Sequence, residues 1–351
     1  MGLAGDDLLV GPRGRVLCMA VAHRLDREVW SAWLDAAWHL GDAARSEALV
    51  RVLDSVDVQP EGGWLDPATF LEPVAEAVGH AMYWQPPHDE DVLAANPKLR
   101  AALRPLAAAI AGAPATKWWN SPADLSALRY TGWAVDGSAA PSLTGAATKL
   151  ATWREKTVAE NLAARINRPT NPEVLYSGTW WSTPTLVSLV STTRPLAGVG
   201  SVELAWHEDS LGLRDALIWP LETIGPPRIW EIDQPRDWVD LVQTYPLDVT
   251  EERRDDWQRT TDRSGPWFIP DWEAVAADWD AVHVTVAGYL TTATRALPLA
   301  DGDGATMLAG WNPDQTWWLN DILRSATTEP ERWHNTEGAS APQLNWHHAS
   351  E

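Results

Sequence analysis

The sequence predicts an α+β protein with an all-helical N-terminal domain and a C-terminal domain built on a mixed or antiparallel sheet. Apolar residues recur every three or four positions through the first half, which is the spacing of amphipathic helices. Residues 167–172, Asn-Arg-Pro-Thr-Asn-Pro, cannot continue a helix. Short apolar runs separated by turns follow this break and favour an antiparallel or mixed sheet. We therefore predict a helical domain at 1–166, a mixed α+β domain at 173–325 and an irregular tail at 326–351.

The helices of the first half are predicted from apolar stripes and from capping residues. Asp66 and Asn96 each stand before a proline, which combines an N-cap side chain with the residue preferred at the first helical position. Pro105 should kink or split the helix that contains it. No strand pattern competes with these helices. They are predicted at residues 26–40, 66–81, 96–110 and 144–166, with a short one beginning at Ser121.

The second half is predicted to contain short strands interrupted by two helices. One helix begins near Asp233 and Pro235, and the other runs from Pro270 to Trp279, with apolar residues three and four positions apart in both. The predicted strands are residues 174–181, 186–193, 202–206, 216–221, 228–232, 281–286, 306–310 and 316–319.

Tryptophan dominates the aromatic composition, with 24 Trp against 5 Tyr and 2 Phe. The simplest interpretation is that Trp serves as the large core residue and that its N–H finds a partner at the edge of the core. A functional interpretation, in which indole rings bind a flat ring or a cation, applies only where several Trp meet polar residues in a loop.

The charge of the chain restricts its partners. Lys and Arg number 27 against 48 Asp and Glu, which gives a formal net charge of −21. Because wrapping of a nucleic acid needs clustered cations, such binding is not expected. A basic protein partner, or a small-molecule ligand in a local pocket, fits this charge better.

The sequence also predicts a cytoplasmic protein without a metal. No apolar stretch reaches the ~20 residues that a membrane helix needs. The first residues include Asp6 and Asp7 where a signal peptide would be basic. Cys18 is the single cysteine, so neither an internal disulfide nor a cysteine-based metal cluster is expected. The triplet His207-Glu208-Asp209 is interpreted as a solvated turn rather than a metal site.

Familiar catalytic motifs are absent. The sequence has no P-loop, no dinucleotide-binding glycine fingerprint, no Gly-x-Ser-x-Gly elbow and no His-Glu-x-x-His. Three segments, residues 175–182, 191–194 and 311–318, combine hydroxyls, an arginine, a carboxylate and indoles at predicted strand ends. They would suit a pocket for a polar ligand with a flat ring. The alternative is that they are ordinary turn and cross-strand residues.

Several of these residues carry a resemblance to a known family. The run Leu-Tyr-Ser-Gly-Thr at 175–179 and the segments 270–272, 279–284 and 314–319 resemble ADP-ribosyltransferase-like domains, over residues 172–321. The resemblance implies a split mixed sheet that holds NAD as a substrate. It also implies a carboxylate that stabilises the cation formed when the glycosidic bond breaks.

The resemblance assigns roles to eight residues. Asp314 and Gln315 stand where the family has a catalytic Glu, and Ser177 stands where one branch has His. The resemblance implies nucleotide contacts at Ser177 and Thr179, stacking on Trp180 or Trp181, support of a phosphate by Ser191 and Arg194, and catalysis by Asp314 and Gln315. We therefore expect Ser177, Ser191 and Asp314 to surround one cleft.

Other functions stay open at this stage. The chain is an NAD-binding or NAD-cleaving protein, a non-catalytic acidic interaction protein with structural Trp residues, or an enzyme acting on another small molecule. His283 and Glu231 each lie on an apolar strand, either as outward polar residues or as members of a site. The reaction, the target, the oligomeric state and the role of the helical half do not follow from the sequence.

Overall fold

The computed structural model of the chain describes residues 2–58, 66–133, 140–169, 171, 176–185, 188–208, 212–300, 302–336 and 344–349. Helices make up 46% of the described residues and strands 17%. Helices predominate in the N-terminal part and antiparallel or mixed sheets in the C-terminal part. The predicted α+β class is confirmed.

The N-terminal helices begin at capping residues that the sequence identifies. The side chains of Asp26 and Asn96 accept hydrogen bonds from the backbone two residues later, and Asp66 does the same for the 3-10 turn Pro67–Phe70. The helices are α1 (Gly5–Leu8), α2 (Pro12–Leu25), α3 (Arg27–Trp38), α4 (Ala43–Ser55), α5 (Leu71–Gly79), α6 (Asp89–Ala94), α7 (Pro97–Gly112) and α8 (Ala146–Asn167). A second 3-10 turn covers Pro114–Asn120.

The C-terminal helices lie between short strands. Asp271 and Thr285 cap the helices that follow them through their side-chain oxygens. The helices are α9 (Val202–Ala205), α10 (Pro235–Thr244), α11 (Thr250–Thr261), α12 (Trp272–Asp278) and α13 (Val286–Thr292).

Two larger sheets and two two-stranded sheets contain the strands of the described residues. The strands are β1 (Leu128–Trp133), β2 (Ser191–Thr192), β3 (Asp215–Thr223), β4 (Ile229–Ile232), β5 (Pro246–Asp248), β6 (Phe268–Pro270), β7 (Ala281–Val284), β8 (Leu297–Pro298), β9 (Ala305–Thr306), β10 (Gln315–Trp318), β11 (Leu323–Ser325), β12 (Glu331–Asn335) and β13 (Trp346–His348). Sheet A is antiparallel, with the order β1-β3-β12-β13 and with β11 also on β3. Sheet B has the order β2-β10-β7-β4, in which only β4 and β7 are parallel. The two-stranded sheets are β5-β6 and β8-β9.

A continuous buried apolar cluster extends through both halves, from Leu8 to Trp346. Close packing between elements depends on glycine: a Cβ on Gly14 would lie 2.0 Å from the carbonyl oxygen of Leu8, and one on Gly288 would lie 2.0 Å from that of Ile232. The break predicted at residues 167–172 therefore does not separate two independent cores.

Most of the largest buried side chains are tryptophans, as the core interpretation of Trp predicts. The fully buried ones are Trp119, Trp206, Trp238, Trp257, Trp267, Trp272, Trp311 and Trp318. Trp38, at 84% exposed, is a clear exception. Indole volume thus replaces phenylalanine in this core.

The structure corrects two predictions in the N-terminal half. This half is not all-helical, because β1 belongs to it and pairs with β3 across all six of its residues. The short helix predicted at Ser121 does not form, since Ser121 ends the preceding 3-10 turn. Of the two effects expected of Pro105, a kink or a split, the split does not occur, because α7 continues through this residue.

Further corrections concern the C-terminal half. Residues 202–206 were expected as a strand, but Ser201 caps the short helix α9 there. Residues 176–181 are not a strand, and 174–175 lie outside the described residues. The tail at 326–351, expected to be irregular, contributes β12 and β13 to sheet A. Helices α11 and α13 were not predicted.

In the described residues, no helix combines the length and the apolar character needed to cross a bilayer.

Candidate functional site

The predicted site residues fall into two groups. Ser191, Arg194, Asp314 and Gln315 lie at sheet B, whereas Ser177, Thr179, Trp180 and Trp181 lie along α11.

Asp314 and Arg194 form a buried ion pair at the edge of sheet B. Asp314 directly precedes β10 with a φ of 61°, a left-handed conformation that Asp adopts more readily than most residues. Its carboxylate accepts hydrogen bonds from the backbone N of Arg194 at 2.8 Å and from Nε at 2.7 Å, and Nη2 lies 2.6 Å away. The Asp314 side chain is only 3% exposed, so it is held inside the protein rather than presented to a ligand.

Gln315 and Ser191 are also engaged within the protein. Gln315 Nε2 donates to Ser191 Oγ at 3.2 Å, and its Oε1 accepts from the backbone N of Asn312 at 3.1 Å. Both residues are buried. Their contacts join β2 to β10.

The ion pair continues across sheet B to His283 and Glu231. His283 Nε2 lies 3.4 Å from Asp314 Oδ1, and its Nδ1 lies 2.5 Å from Glu231 Oε2. Burial alone would lower the pKa of His283, but the two carboxylates outweigh it and raise that pKa to about 9. Alternating charges therefore run along Glu231, His283, Asp314 and Arg194, a set that we call the charged row.

The charged row contacts residues 118–123, which we call the covering segment. Arg194 Nη2 donates to the carbonyl oxygen of Pro122 at 3.0 Å, and its guanidinium lies 4.9 Å from the centre of the Trp118 ring. Glu231 Oε1 accepts from the backbone N of Ala123 at 3.2 Å. Because Glu231 is 32% exposed and His283 is fully buried, the row contacts solvent mainly at its Glu231 end. The charged row therefore connects the covering segment, in the N-terminal half, to sheet B in the C-terminal half.

The second group binds α11. Ser177 Oγ donates to Asp256 Oδ1 at 2.9 Å, and the backbone N of Thr179 donates to Glu252 Oε1 at 2.8 Å. A Cβ on Gly178 would lie 2.3 Å from Glu252 Oε1, so a side chain at this position would displace the carboxylate. The hydroxyl that the resemblance assigns to a nucleotide is thus used within the protein.

The two indoles of this group are packed against other aromatic side chains. Trp180 stacks on Tyr83 with ring centres 5.4 Å apart and also contacts Trp84. Trp181 meets Trp180 edge to face at 5.1 Å, and its carbonyl oxygen accepts from Arg253. At least one face of Trp180 is therefore covered by the protein.

No hydrogen bond, ion pair or ring contact joins the two groups within the described part of the chain. The expectation that Ser177, Ser191 and Asp314 surround one cleft finds no support in these contacts.

A cavity with different residues opens between the two halves. Its volume is about 450 Å³, and its walls come from residues 10–15, 80–95, 260–261 and 294–296. We call it the arginine pocket, because Arg15 and Arg295 line it. Proline, valine, methionine and alanine side chains supply most of the remaining wall, together with two histidines and three threonines.

Arg15 is an unusual lining residue because it is buried and only partly hydrogen-bonded. It is 8% exposed, its Nη1 donates to the carbonyl oxygen of Val10 at 2.8 Å, and its Nε has no partner among the described residues. Burial and neighbouring guanidinium groups lower the pKa of Arg15 to about 10, although Asp91 acts in the opposite direction. It remains a cation at neutral pH.

The charge around the arginine pocket is opposite to that of the whole chain. Arg13, Arg100 and Arg295 are the cations that act on Arg15, and Asp91 is the carboxylate that acts on it. Arg15, Arg295 and Asp91 are the Arg and Asp residues of the wall, in a protein of net charge −21. The local potential of the pocket is therefore more positive than that of the chain as a whole.

Helix α2 adds to this positive potential. Its first residue, Pro12, lines the pocket, and its first turn contains Arg13 and Arg15 but no acidic residue. Cations are unfavourable at the positive end of a helix dipole. Such a local conflict is expected where function rather than stability selects the residue.

The opposite wall carries a strained backbone. Thr294 lines the pocket with a φ of 63°, which is uncommon for a β-branched residue. This turn places Arg295 directly after α13, where its Nη1 donates to the carbonyl oxygen of Thr291 at 2.6 Å. Arg295 is thereby fixed at the junction of two cavities.

The adjoining cavity, of about 300 Å³, shares Val10 and Arg295 with the arginine pocket. Asn120, Asp233 and Asp7 also line it. Asp233 follows β4 and accepts from Asn120 Nδ2 at 2.7 Å. This cavity is thus more polar and less positive than the arginine pocket.

The comparisons identify no relatives. No protein-family model matches the chain, and neither the curated proteins nor the solved structures include one that resembles it significantly. Among the described residues, no three His, Cys, Asp or Glu side chains are grouped in a way that could hold a metal ion.

The core behind the arginine pocket contains an unexpected carboxyl group. Glu208, predicted in a solvated turn, is buried and accepts hydrogen bonds from Tyr83 at 2.5 Å and from Tyr289 at 2.7 Å. Burial raises its pKa to about 8, so it is largely protonated at neutral pH. His207 is half-buried, and Asp209 lies outside the described residues.

The sequence analysis did not find Arg15 and Arg295. The available signal was local: a glycine and a proline start α2, and two arginines occupy the turn where acidic residues are favoured. Arg295 carries no such signal, because its place in the pocket depends on the packing of α13 against α2.

Proposed function

We propose that the protein binds a small organic anion in the arginine pocket. The observation that carries this proposal is the pair of arginines, Arg15 and Arg295, in the wall of one cavity, with Arg15 only 8% exposed.

The walls indicate the kind of anion. A volume of about 450 Å³ lies in the ordinary range for small-molecule sites. Guanidinium groups bind carboxylates and phosphates through paired hydrogen bonds. Because Val10, Met82 and Pro86 line the pocket as well, the anionic group is expected on a partly apolar body.

NAD is one member of this ligand class, since its pyrophosphate is anionic. The resemblance described above made NAD the expected substrate, and it stays a proposal at this different site. The competing proposal is a non-catalytic protein for a basic partner. The net charge of −21 supports that alternative.

Thermal shift and calorimetric titration test the proposal with phosphate, succinate, glutarate, AMP and NAD at millimolar concentrations. A ligand that binds only the folded state raises the melting temperature. Arg15→Gln and Arg295→Gln should each weaken binding about tenfold or more, which corresponds to about 1.4 kcal/mol.

Arg324→Gln is the matched control. This exposed arginine pairs with Glu222 on sheet A, outside the arginine pocket, and its loss should leave the affinity unchanged. If no anion binds, or if both pocket variants bind as tightly as the unmodified protein, the proposal is wrong. Failure of all anions would favour the search for a basic partner.

A further inference from the structure

Helix α8 carries an apolar stripe on the side that faces solvent. Val158, Leu162 and Ile166 follow one another at intervals of four residues, which places them on one face of the helix. Their exposed fractions are 45%, 57% and 73%. Ala159 and Ala163 lie beside them and are also exposed. Contiguous exposed apolar side chains are typical of an interaction surface, whereas single ones are not.

The opposite side of α8 is the one that packs against the rest of the protein. Trp153, Thr157 and Ala164 are buried there. Asn161 donates to the carbonyl oxygen of Asp248 at 3.2 Å and accepts from the backbone N of Glu252 at 3.0 Å. Helix α8 is therefore apolar on two faces, although a helix on the surface of a monomer needs only one.

The charges beside the stripe balance one another. Residues 155–166 contain two acidic residues, Glu155 and Glu160, and two basic residues, Lys156 and Arg165, in a chain of net charge −21. Lys156 lies 3.6 Å from Glu160, whereas Glu155 and Arg165 form no ion pair within the part of the chain that the structure describes. Two copies of this surface can thus approach each other without the repulsion expected elsewhere on the protein.

The order of the two unpaired charges favours an antiparallel approach. At a rise of 1.5 Å per residue, Glu155 and Arg165 lie about 15 Å apart along the helix axis. When two antiparallel α8 helices meet near residue 160, Glu155 of each copy lies opposite Arg165 of the other, and Val158 lies opposite Leu162. A two-fold axis forms each of these contacts twice. A parallel arrangement would instead place Glu155 against Glu155.

We propose that the protein forms a two-fold symmetric dimer through antiparallel contact of its α8 helices. The apolar stripe is buried in this contact, and the small side chains of Ala159 and Ala163 allow the helices to approach closely. Because one helix from each copy makes a small interface, we expect a dissociation constant in the micromolar range. No residue of α8 lines the arginine pocket, so this inference is independent of anion binding.

Sedimentation velocity of the full chain, from micromolar to near-millimolar concentrations, tests the dimer. Leu162→Glu places two carboxylates close to the centre of the contact and should raise the dissociation constant about tenfold or more. Leu40→Glu is the matched control, because it makes the same change at an exposed leucine beyond α3. This control should leave the dissociation constant unchanged.

Charge reversal tests the antiparallel arrangement. Glu155→Arg and Arg165→Glu should each weaken the dimer at low ionic strength, because each places like charges opposite one another. The double variant exchanges the two charges and should restore the affinity of the unmodified protein.

The outcomes decide between this dimer and the alternatives. Monomer alone at every concentration would overturn the proposal, and the stripe would then have to be covered by another protein or by none. A dimer that persists in Leu162→Glu would also overturn it, because the contact would lie elsewhere. Failure of the double variant to recover would overturn the antiparallel arrangement.

Discussion

Glu208 shows how a single carboxyl group can make the stability of this protein depend on pH. Its side chain is enclosed by the hydroxyl groups of Tyr83 and Tyr289, and Arg13 is the nearby cation. Because burial raises its pKa from 4.5 to about 8, the folded state holds a proton that the unfolded state releases above about pH 4.5. Its contribution to stability is therefore complete at low pH and is lost as the pH rises towards 8.

Glu208→Gln imitates the protonated form and should reduce this dependence. Between about pH 5 and about pH 8, the free energy of unfolding of this variant should fall less steeply with pH than that of the unmodified protein, by about 1.4 kcal/mol per pH unit. Urea unfolding at a series of pH values measures the slope. Glu222→Gln, at an exposed position, should leave the slope unchanged, and an unaltered slope in Glu208→Gln would disprove the assignment.

At the scale of elements, the charged row joins the covering segment to sheet B. Arg194→Met removes the cation from Asp314, which then stays buried without its main partner. Breaking a buried pair in this way costs about 3–5 kcal/mol. Urea unfolding should show that loss, whereas Arg228→Met, which removes an exposed arginine near Asp280, should cost less than about 1 kcal/mol. Equal losses of unfolding free energy in Arg194→Met and Arg228→Met would show that the charged row does not stabilise the contact between the covering segment and sheet B.

The packing of α13 gives a prediction for both stability and binding. Gly288→Ala would place a methyl group 2.0 Å from the carbonyl oxygen of Ile232, and such overpacking costs about 1–3 kcal/mol or more. Because α13 leads to Thr294 and Arg295, anion affinity should fall as well. Gly112→Ala, which meets nothing within 4 Å, is the control and should leave both quantities nearly unchanged. Thermal unfolding and calorimetry provide the two measurements.

The sequence predicted those elements that carry local signals. Helices α3 and α7 begin at the capping residues Asp26 and Asn96, and α10 has regular apolar spacing. Helix α11 was missed because Thr250–Thr261 is strongly polar, with Trp257 as its main apolar residue. It folds there because Trp257 is fully buried, which is a tertiary effect.

Capping and tertiary contacts also explain the other elements that the sequence did not predict. The apolar residues 202–206 suit either a strand or a buried helix, and the cap at Ser201 decides for the helix. In β12 the residues are mostly polar, and pairing with β3 makes it a strand. Of the site, the sequence identified members of the charged row but not the arginine pocket, whose residues are far apart along the chain.

For the molecule as a whole, several buried groups lower the free energy of unfolding as the pH rises above neutral. The pKa values of Glu203 and Glu208 are raised to about 8, chiefly by burial. That of His283 is raised to about 9, since Asp314 and Glu231 outweigh burial. Each contributes stability that is lost as the pH rises through its folded-state pKa.

The free energy of unfolding should accordingly fall as the pH rises from about 6.5 to about 9. Below about pH 6.5, His23 and His207 have the opposite effect on stability to that of the two glutamates. Burial lowers the pKa values of these histidines to about 4, so the stability that they contribute is lost as the pH falls. A broad maximum near pH 6 is therefore expected in chemical unfolding. Stability that rises steadily towards pH 9 would contradict the burial of these groups.

The arginine pocket takes its walls from both ends of the sequence, since residues 10–15 meet residues 294–296. During synthesis the first of these leave the ribosome long before the second, and no ligand site exists in the interval. The walls of the pocket are complete only after residue 296 has been made. A product that ends before residue 294 would lack one wall of the pocket and would be recognisable by its failure to bind the anion.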